Sequence, residues 1–290
     1  GLVGSEMCIR DRFCTGVAHQ KYLSAEKGLQ TAIEGDCTHW YIDGSLFGEM
    51  VDDWTDARIE SLQAQIAATG VKPIFHGNFK APLGSDVEAF RAAAVDYVKK
   101  EIDIASRLGA PLIIHGGSIV EPKMVLMAKK VALEHYLKSV QELASYAEAK
   151  GTDIYLENLS NYVNYRPFHY IFTHEAEYAF VFERLKAHGN VYFFLDAGHA
   201  NIENGLPADV VRKYHHLIKG ISFSNNNGVQ DQHFGIHDGN CDYADVVQAI
   251  VETNWKGLVA FETRNQTAKA ALADLALMYR ESLTTEIAVA

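Results

Sequence analysis

The sequence has few cysteines, and their spacing excludes several kinds of protein. No two of the four cysteines form a Cys-x-x-Cys motif, so the sequence supports neither a disulfide framework nor a thiolate metal site. No GxGxxG motif follows an apolar run, which disfavours a dinucleotide-binding sheet. No run reaches the roughly 18 apolar residues that a membrane-spanning helix needs. We therefore expect a cytoplasmic protein that does not enter a membrane.

Positive charge is also scarce. Lysine and arginine together number 26 against 37 acidic residues, which gives a formal net charge of −11. This balance disfavours a broad contact with nucleic acid or an anionic membrane, although a local basic groove or bound cations could override it. Hydrophobic residues make up 48% of the chain. That is enough for one large core, so disorder is not expected.

The sequence is rich in short apolar runs that end at a histidine or an acidic residue. Such runs are typical of buried parallel strands. Further strands are expected at residues 13–17, 38–43 and 218–224. Five runs show the pattern: residues 71–75 before His76, 111–114 before His115, 154–156 before Glu157, 191–195 before Asp196 and 258–261 before Glu262.

Helices are predicted between these strands, and glycines stand at several of their ends. Gly70, Gly109, Gly151 and Gly189 are expected C-terminal caps. The strict alternation predicts an α/β fold with a parallel sheet, and 290 residues suit a single (β/α)8 TIM barrel of about 250. A doubly wound sheet is the alternative. The helical segments are 23–34, 55–69, 85–108, 124–150, 175–188, 207–215, 243–254 and 268 to 280 or beyond.

The first twelve residues, GLVGSEMCIRDR, do not fit this pattern. They lack the apolar stretch of a secretory signal and resemble a translated adapter or assembly junction. A genuine N-terminal tail is the alternative. We expect residues 1–12 to be a non-native junction and residues 13–290 to form the barrel.

Three carboxylates are predicted to meet at one face of this barrel. The carboxyl ends of barrel strands converge, and active sites form there, so Glu157, Asp196 and Glu262 should lie close together. A buried salt bridge would explain any one of them alone. Three converging carboxylates repel one another unless a cation or a shared proton intervenes. Oxygen ligands without thiolates favour Mg²⁺, Mn²⁺ or Zn²⁺.

Four histidines fall at strand ends or just after them: His76, His115, His199 and His233. Asp231 lies two residues before the last of these. A single histidine of this kind is more often a hydrogen-bonded core residue than a ligand. The group together indicates a metal or substrate site.

Three cationic residues follow strands three, five and eight: Lys80, Arg166 and Arg264. They could hold a carboxylate or phosphate on a substrate, and solvated loop charges are the alternative. The long segments 158–173 and 225–242 would also reach the catalytic face, where long loops carry substrate contacts or a lid.

These motifs, in this order, resemble the xylose-isomerase-like TIM barrel superfamily. It groups sugar phosphate isomerases and epimerases with AP endonucleases of the endonuclease IV type (AP endonuclease family 2). The resemblance covers about residues 13–280. The matching segments are Ile-Phe-His76, Ile-Ile-His115-Gly-Gly, Tyr-Leu-Glu157-Asn, Leu-Asp196-Ala-Gly-His199, Asp231-Gln-His233 and Phe-Glu262-Thr.

The resemblance implies a metal core of Glu157, Asp196 and Glu262, with the two glutamates moving a proton between sugar carbons. The sequence departs from the pattern at Ser222, which stands where the family usually has a histidine ligand. We therefore expect an oxygen-only core that favours Mn²⁺ or Mg²⁺. In the endonuclease branch, further zinc ligands correspond to His76, His115, His199, Asp231 and His233.

The predicted function is that of a metal-dependent isomerase or epimerase of a small sugar or polyol derivative, which reacts through an enediolate. The alternatives are an endonuclease IV-like phosphodiesterase on abasic DNA and a non-catalytic sugar-binding barrel. A homo-oligomer is left open. The assigned residues are Glu157 and Glu262 for catalysis; Glu157, Asp196, Glu262, His199, Asp231 and His233 for the metal; and His76, His115, Lys80, Arg166, Ser222 and Arg264 for the substrate.

Overall fold

Eight parallel strands close into a barrel in the computed structural model, which describes residues 14–17, 23–160, 168–202 and 205–289. The predicted (β/α)8 architecture is confirmed. The barrel strands are β1 Cys14–Val17, β2 His39–Asp43, β3 Lys72–His76, β4 Leu112–His115, β6 Ile154–Glu157, β8 Val191–Asp196, β9 Ile218–Phe223 and β10 Leu258–Phe261. Around the barrel the order is β1-β2-β3-β4-β6-β8-β9-β10, and β10 pairs with β1.

Helices connect these strands. Three end as predicted, at glycines in the left-handed conformation: Gly70 (φ 73°), Gly109 (φ 67°) and Gly151 (φ 69°). The helices are α1 Ala25–Glu34, α2 Asp56–Thr69, α3 Glu88–Leu108, α4 Val125–Lys150, α5 Glu175–Arg184, α6 Ala197–Asn201, α7 Pro207–Tyr214, α8 Tyr243–Glu252 and α9 Ala268–Val289.

The prediction that Gly189 caps a helix is wrong. Helix α5 ends earlier, at Arg184, where the Leu185 amide donates to the carbonyls of Val181 and Phe182.

Two short strands outside the barrel were not predicted. Strand β5 (Ser118–Val120) pairs antiparallel with β7 (Phe168–Tyr170). They join the segments that follow β4 and β6, at the end of the barrel where Glu157 lies. Strands of three residues are too short to show a period in the sequence.

The barrel interior is filled by apolar side chains that form one layer across the strands. Successive side chains of a strand point to opposite faces, so alternate residues enter the interior. The Phe194 ring packs directly against the backbone of Gly220. A side chain at residue 220 would clash with it, because a Cβ atom there would lie 2.1 Å from the ring. The layer consists of Tyr41, Ile74, Ile113, Phe194 and Ala260, with Tyr155 packed against it and Leu258 one layer further from the mouth.

Polar residues form the next interior layer, two positions further along the same strands. Ile74 is followed by His76, Ile113 by His115 and Phe194 by Asp196. The strand register aligns these residues with one another: the paired positions are Asp43 with His76, His115 with Glu157, and Asp196 with Ser222. The fold thus collects them at one mouth.

No helix in the described part of the chain is long and apolar enough to cross a membrane. Residues 1–12 lie outside the described residues, so their assignment as a junction stays a prediction.

Candidate active site

A cavity of about 1190 Å³ opens at the carboxyl ends of the barrel strands. The cations Lys80 and Arg264 and the aromatic residues Phe47, Phe79 and Tyr170 stand on its walls. Five residues predicted for the metal or for catalysis line the cavity: Glu157, His199, Asp231, His233 and Glu262. His76 and His115, which were predicted for the substrate, line it as well.

Glu157 lies between two imidazoles at the end of β6. Its side chain is almost fully buried; Oε2 lies 3.7 Å from His76 Nε2 and Oε1 lies 3.6 Å from His115 Nε2. Burial by itself would raise the pKa of Glu157, but His115, His76 and His199 together lower it to about 2. This carboxyl is therefore ionised at neutral pH. His76 and His115, predicted for the substrate, contact this carboxylate.

Asp196 begins the short helix α6 and caps it. Its Oδ1 accepts the His199 amide at 2.6 Å, and the Asn158 side chain bonds both its backbone N–H (2.8 Å) and its carbonyl (3.0 Å). The turn requires glycine at position 198, because a Cβ atom there would lie 2.6 Å from the Ser224 carbonyl oxygen. Burial, reinforced by Glu157 and Asp231, raises the pKa of Asp196 to about 6 against the effect of His199.

His199 and His233 both direct their Nε2 atoms toward the Asp231 carboxylate. His199 Nδ1 lies 2.9 Å from the Asn158 carbonyl and His233 Nδ1 lies 3.0 Å from the Glu262 carbonyl. A carbonyl only accepts, so both Nδ1 atoms carry protons. Their Nε2 atoms lie 3.4 Å and 2.8 Å from Asp231 Oδ2. Despite burial, His199 and His233 hold the pKa of Asp231 well below its usual range.

Glu262 has the opposite electrostatic environment from Glu157. It follows β10, and its Oε2 lies 3.7 Å from His233 Nδ1. Burial, followed by repulsion from Glu157 and Asp196, raises the pKa of Glu262 to about 8, although His233 and His199 oppose the shift. At neutral pH the metal-free protein therefore holds Glu262 protonated and Glu157 ionised.

The donor set fits a divalent cation. Ligand atoms of two groups, His76–His115–Glu157 and Glu157–Asp196–His199, lie within 4.8 Å of one another. Within the described part of the chain, Glu157 Oε2 and Asp196 Oδ2 are buried without a hydrogen-bond partner. Each group contains an imidazole, whereas the expected core of Glu157, Asp196 and Glu262 contains none, so the oxygen-only core stays a prediction. Backbone carbonyls that hold the second ring nitrogen are typical of histidine ligands.

The remaining residues predicted for the substrate fall in three kinds of place. The Lys80 ammonium donates to the Ser45 carbonyl at 3.1 Å on the cavity wall, and the Arg264 amide donates to the His233 carbonyl at 2.8 Å. Ser222 is fully buried, does not line the cavity and is paired in register with Asp196. Arg166 lies outside the described residues.

Sequence reasoning missed Asp43 and Asn158. Asp43 lines the cavity at the end of β2, where its Oδ1 accepts the Ser45 hydroxyl at 2.6 Å. It follows the apolar residues of β2, so the strand-end pattern was present. Asn158 orients two ligand candidates through its backbone and its side chain, which only the folded arrangement shows.

Comparison with known proteins agrees with this fold. A family model described as "Xylose isomerase-like TIM barrel" matches residues 32–283. The uncharacterized protein MJ1311 of Methanocaldococcus jannaschii is 26% identical over 182 residues, and the match covers 61% of this chain and 59% of that protein.

Two crystal structures show the same fold. A D-tagatose 3-epimerase-like protein has a TM-score of 0.78 at 21% identity, and the alignment covers 95% of this chain and 100% of that one. D-psicose 3-epimerase from Clostridium cellulolyticum H10, with D-tagatose, has a TM-score of 0.71 at 17% identity, covering 94% and 98%. The strand-end residues, the closed barrel and the family match together show that the chain belongs to the xylose isomerase-like TIM barrel family.

Proposed function

We propose that this protein is a metal-dependent epimerase or isomerase of a small sugar-like substrate. The observation that carries the proposal is the convergence of two buried glutamates, at the ends of β6 and β10, on one cavity beside candidate metal ligands. The names of similar structures support the substrate class, since they describe sugar 3-epimerases.

The two glutamates suit opposite halves of a proton transfer. A base must be ionised and an acid must be protonated at the working pH. Environments that push the pKa values of two carboxyls apart mark such a pair. Glu157, which its neighbouring histidines keep ionised, would remove the proton next to the substrate carbonyl. Glu262, which burial and the neighbouring carboxylates keep protonated in the metal-free protein, would deliver a proton from the other side, and the reverse reaction exchanges the roles.

Glu157, Asp196 and His199 would hold the metal ion. When bound, a divalent cation supplies Lewis acidity that polarises a carbonyl. Asn158 fixes the backbone of Asp196 and the ring of His199, so these ligands need little reorganisation. Lys80 and Arg264 stand where they could hold polar groups of the substrate.

The proposal is tested with D-tagatose and D-psicose as probes and protein loaded with Mn²⁺, Mg²⁺ or Zn²⁺. We expect metal-dependent conversion of at least one ketose, which Glu157→Gln and Glu262→Gln each abolish. Glu177→Gln is the matched control, because Glu177 is a buried glutamate paired with Lys129 at 3.1 Å and does not line the cavity. Full conversion by either cavity variant would refute the two-glutamate mechanism.

One observation favours a second candidate, phosphodiester hydrolysis of abasic DNA. Glu157 belongs to both ligand groups, and Asp231, with His233 beside it, adjoins His199 of the second group, so there is room for more than one metal ion. The net charge of −11 disfavours a DNA substrate. Cleavage of an abasic-site duplex in zinc that weakens steeply with salt would establish this function; we predict none.

The third candidate is a barrel that binds a sugar-like ligand without turning it over. Its motivation is Ser222, which stands where the family usually has a histidine ligand. Ketose binding to the metal-loaded protein, measured by calorimetry, without conversion or proton exchange would identify this function.

A further inference from the structure

One buried carboxyl outside the cavity takes no part in the mechanism above. Glu101 lies on α3 and is only 1% exposed. Its Oε1 accepts the backbone N–H of Asn78 at 2.8 Å. Its Oε2 has no hydrogen-bond partner within the described ranges. Burial of a carboxyl with only one hydrogen-bonded oxygen costs folding free energy, which suggests that Glu101 has a specific role at this position.

Glu101 fills a notch between two glycines that begin the loops after β2 and β3. A Cβ atom at Gly44 would lie 3.0 Å from Glu101 Oε1, and a Cβ atom at Gly77 would lie 3.0 Å from Oε2. These glycines directly follow Asp43 and His76, which line the cavity. The carboxyl therefore packs against the backbone of both loops where they leave the barrel.

A chain of hydrogen bonds leads from Glu101 to the cavity wall. Asn78, held by Glu101, accepts the Lys80 amide on its side chain at 3.1 Å. The Lys80 ammonium crosses to the Ser45 carbonyl at 3.1 Å, and the Ser45 hydroxyl donates to Asp43 at 2.6 Å. One buried side chain on a helix thus connects two neighbouring loops that form one side of the cavity.

We propose that Glu101 is a positioning residue that, through Asn78, holds the β2 and β3 loops in the shape that binds substrate. It touches no reacting atom, so its loss should weaken substrate binding and leave the chemical step unchanged. The inference rests on the proposed function for the identity of the substrate, but the effect on the loops does not depend on it.

At neutral pH, Glu101 holds the two loops in its uncharged form. Burial raises its pKa to about 8; the Asn78 amide opposes the shift and Asp43 adds to it. Asp43 is the charged group that faces Glu101 from the neighbouring loop, and Tyr97 on α3 reaches the same Asn78 side chain. Glutamine has nearly the shape of the protonated carboxyl, so Glu101→Gln keeps the fold and removes the titration.

The test is hydrogen–deuterium exchange of the full chain between pH 6 and 9, with peptides over residues 44–48 and 77–83 compared with a peptide from α4. In the wild type, exchange of the two loops, corrected for its intrinsic pH dependence, should rise between pH 6 and 8 by up to about tenfold per pH unit and level off above pH 8. The reason is that the buried carboxyl holds a proton in the packed loops and releases it when the loops open. In Glu101→Gln it should stay flat. Identical profiles in the two proteins would overturn the proposal.

Glu101→Ala provides the second readout. It should speed exchange in both loops at pH 7 and raise the KM for the converted ketose about tenfold with kcat unchanged, and Glu101→Gln should restore both. A fall in kcat with constant KM would contradict a positioning role. If no ketose is bound or converted even by the wild type, the proposed function fails, and the exchange profiles still decide the role of Glu101.

Discussion

Two adjacent layers of the barrel interior are built on the same strands and have opposite character. The lower layer, which includes Ile74, Ile113 and Phe194, is apolar and closely packed. The mouth layer, two residues further along, holds Glu157 and Asp196, each with one buried oxygen that lacks a hydrogen-bond partner within the described residues.

The difference shows that this fold separates stability from chemistry along each strand. Burial of the lower layer stabilises the barrel through apolar contact. The mouth layer gathers carboxylates, and burial, followed by their mutual repulsion, raises the pKa values of Asp196 and Glu262. Such a cluster is destabilising without a cation or bound protons. Substitutions in the two layers should therefore have separable effects.

The largest expected effect lies in the mouth layer. Glu157→Gln removes a charge and a base at nearly constant shape, so turnover of any converted ketose should fall by about 10²- to 10⁴-fold. Removal of the metal by a chelator should have a similar effect, reversed when metal is restored. Steady-state kinetics on each form measure both. Chelator-resistant turnover would show that no metal takes part.

A substitution in the lower layer should lower stability and leave activity nearly unchanged. Ile113 is fully buried in the barrel interior, so Ile113→Ala should lower the free energy of unfolding by about 2–5 kcal/mol. Activity per folded molecule should be nearly unchanged. Ile113→Val is the graded control, with an expected loss of about 0.5–1.5 kcal/mol. Denaturant titration and kinetics on the same samples test the separation, which fails if activity falls in step with stability.

In the metal-free protein, ionisation of Glu262 should lower the free energy of unfolding as pH rises. Its pKa rises from 4.5 to about 8 on folding, so between these values the folded form binds a proton that the unfolded chain has released. The stability from this group is full below pH 4.5 and is lost as pH rises to 8. Glu262→Gln should remove about 1.4 kcal/mol per pH unit of that decline. Equal slopes in urea titrations of both proteins would contradict the assignment.

A smaller effect is expected at Ser222. Its buried hydroxyl is paired in register with Asp196 and has no hydrogen-bond partner in the described part of the chain. Ser222→His should add a nitrogen ligand and shift the preference for Zn²⁺ over Mn²⁺ by about tenfold, or ~1.4 kcal/mol. Ser222→Ala is the control and should leave the preference unchanged. Competition titrations that give the same ratio for both variants would place residue 222 outside the metal site.

The smallest effect is expected from deletion of residues 1–12. The segment has no apolar period and precedes the first strand. Its removal should change the stability by less than about 1 kcal/mol, a shift in Tm of only a few degrees. A larger loss in a thermal scan would show that these residues belong to the fold.

The strand-end residues could be predicted because sequence and topology act together there. An apolar run that ends at Glu157 or Asp196 predicts both a strand and its polar end, and the barrel brings these ends to one face. Asn158 could not be assigned a role, since its bonds to Asp196 and His199 depend on the turn into α6.

Two other features could not be predicted from the sequence because they depend on contacts between distant segments. The β5–β7 pair joins segments about fifty residues apart, each only three residues long. Glu101 follows the helical period of α3, but its function depends on loops from two other strands. Local patterns contain no information about such partners.

The most direct test of the central claim is deuterium incorporation into D-tagatose or D-psicose in D₂O, followed by NMR with the metal-loaded protein. The account predicts that deuterium appears at the carbon next to the carbonyl, only with metal present, and that it no longer appears in the Glu157→Gln, Glu262→Gln double variant. Incorporation that persists in the double variant, or conversion of the ketose without any incorporation, would contradict it.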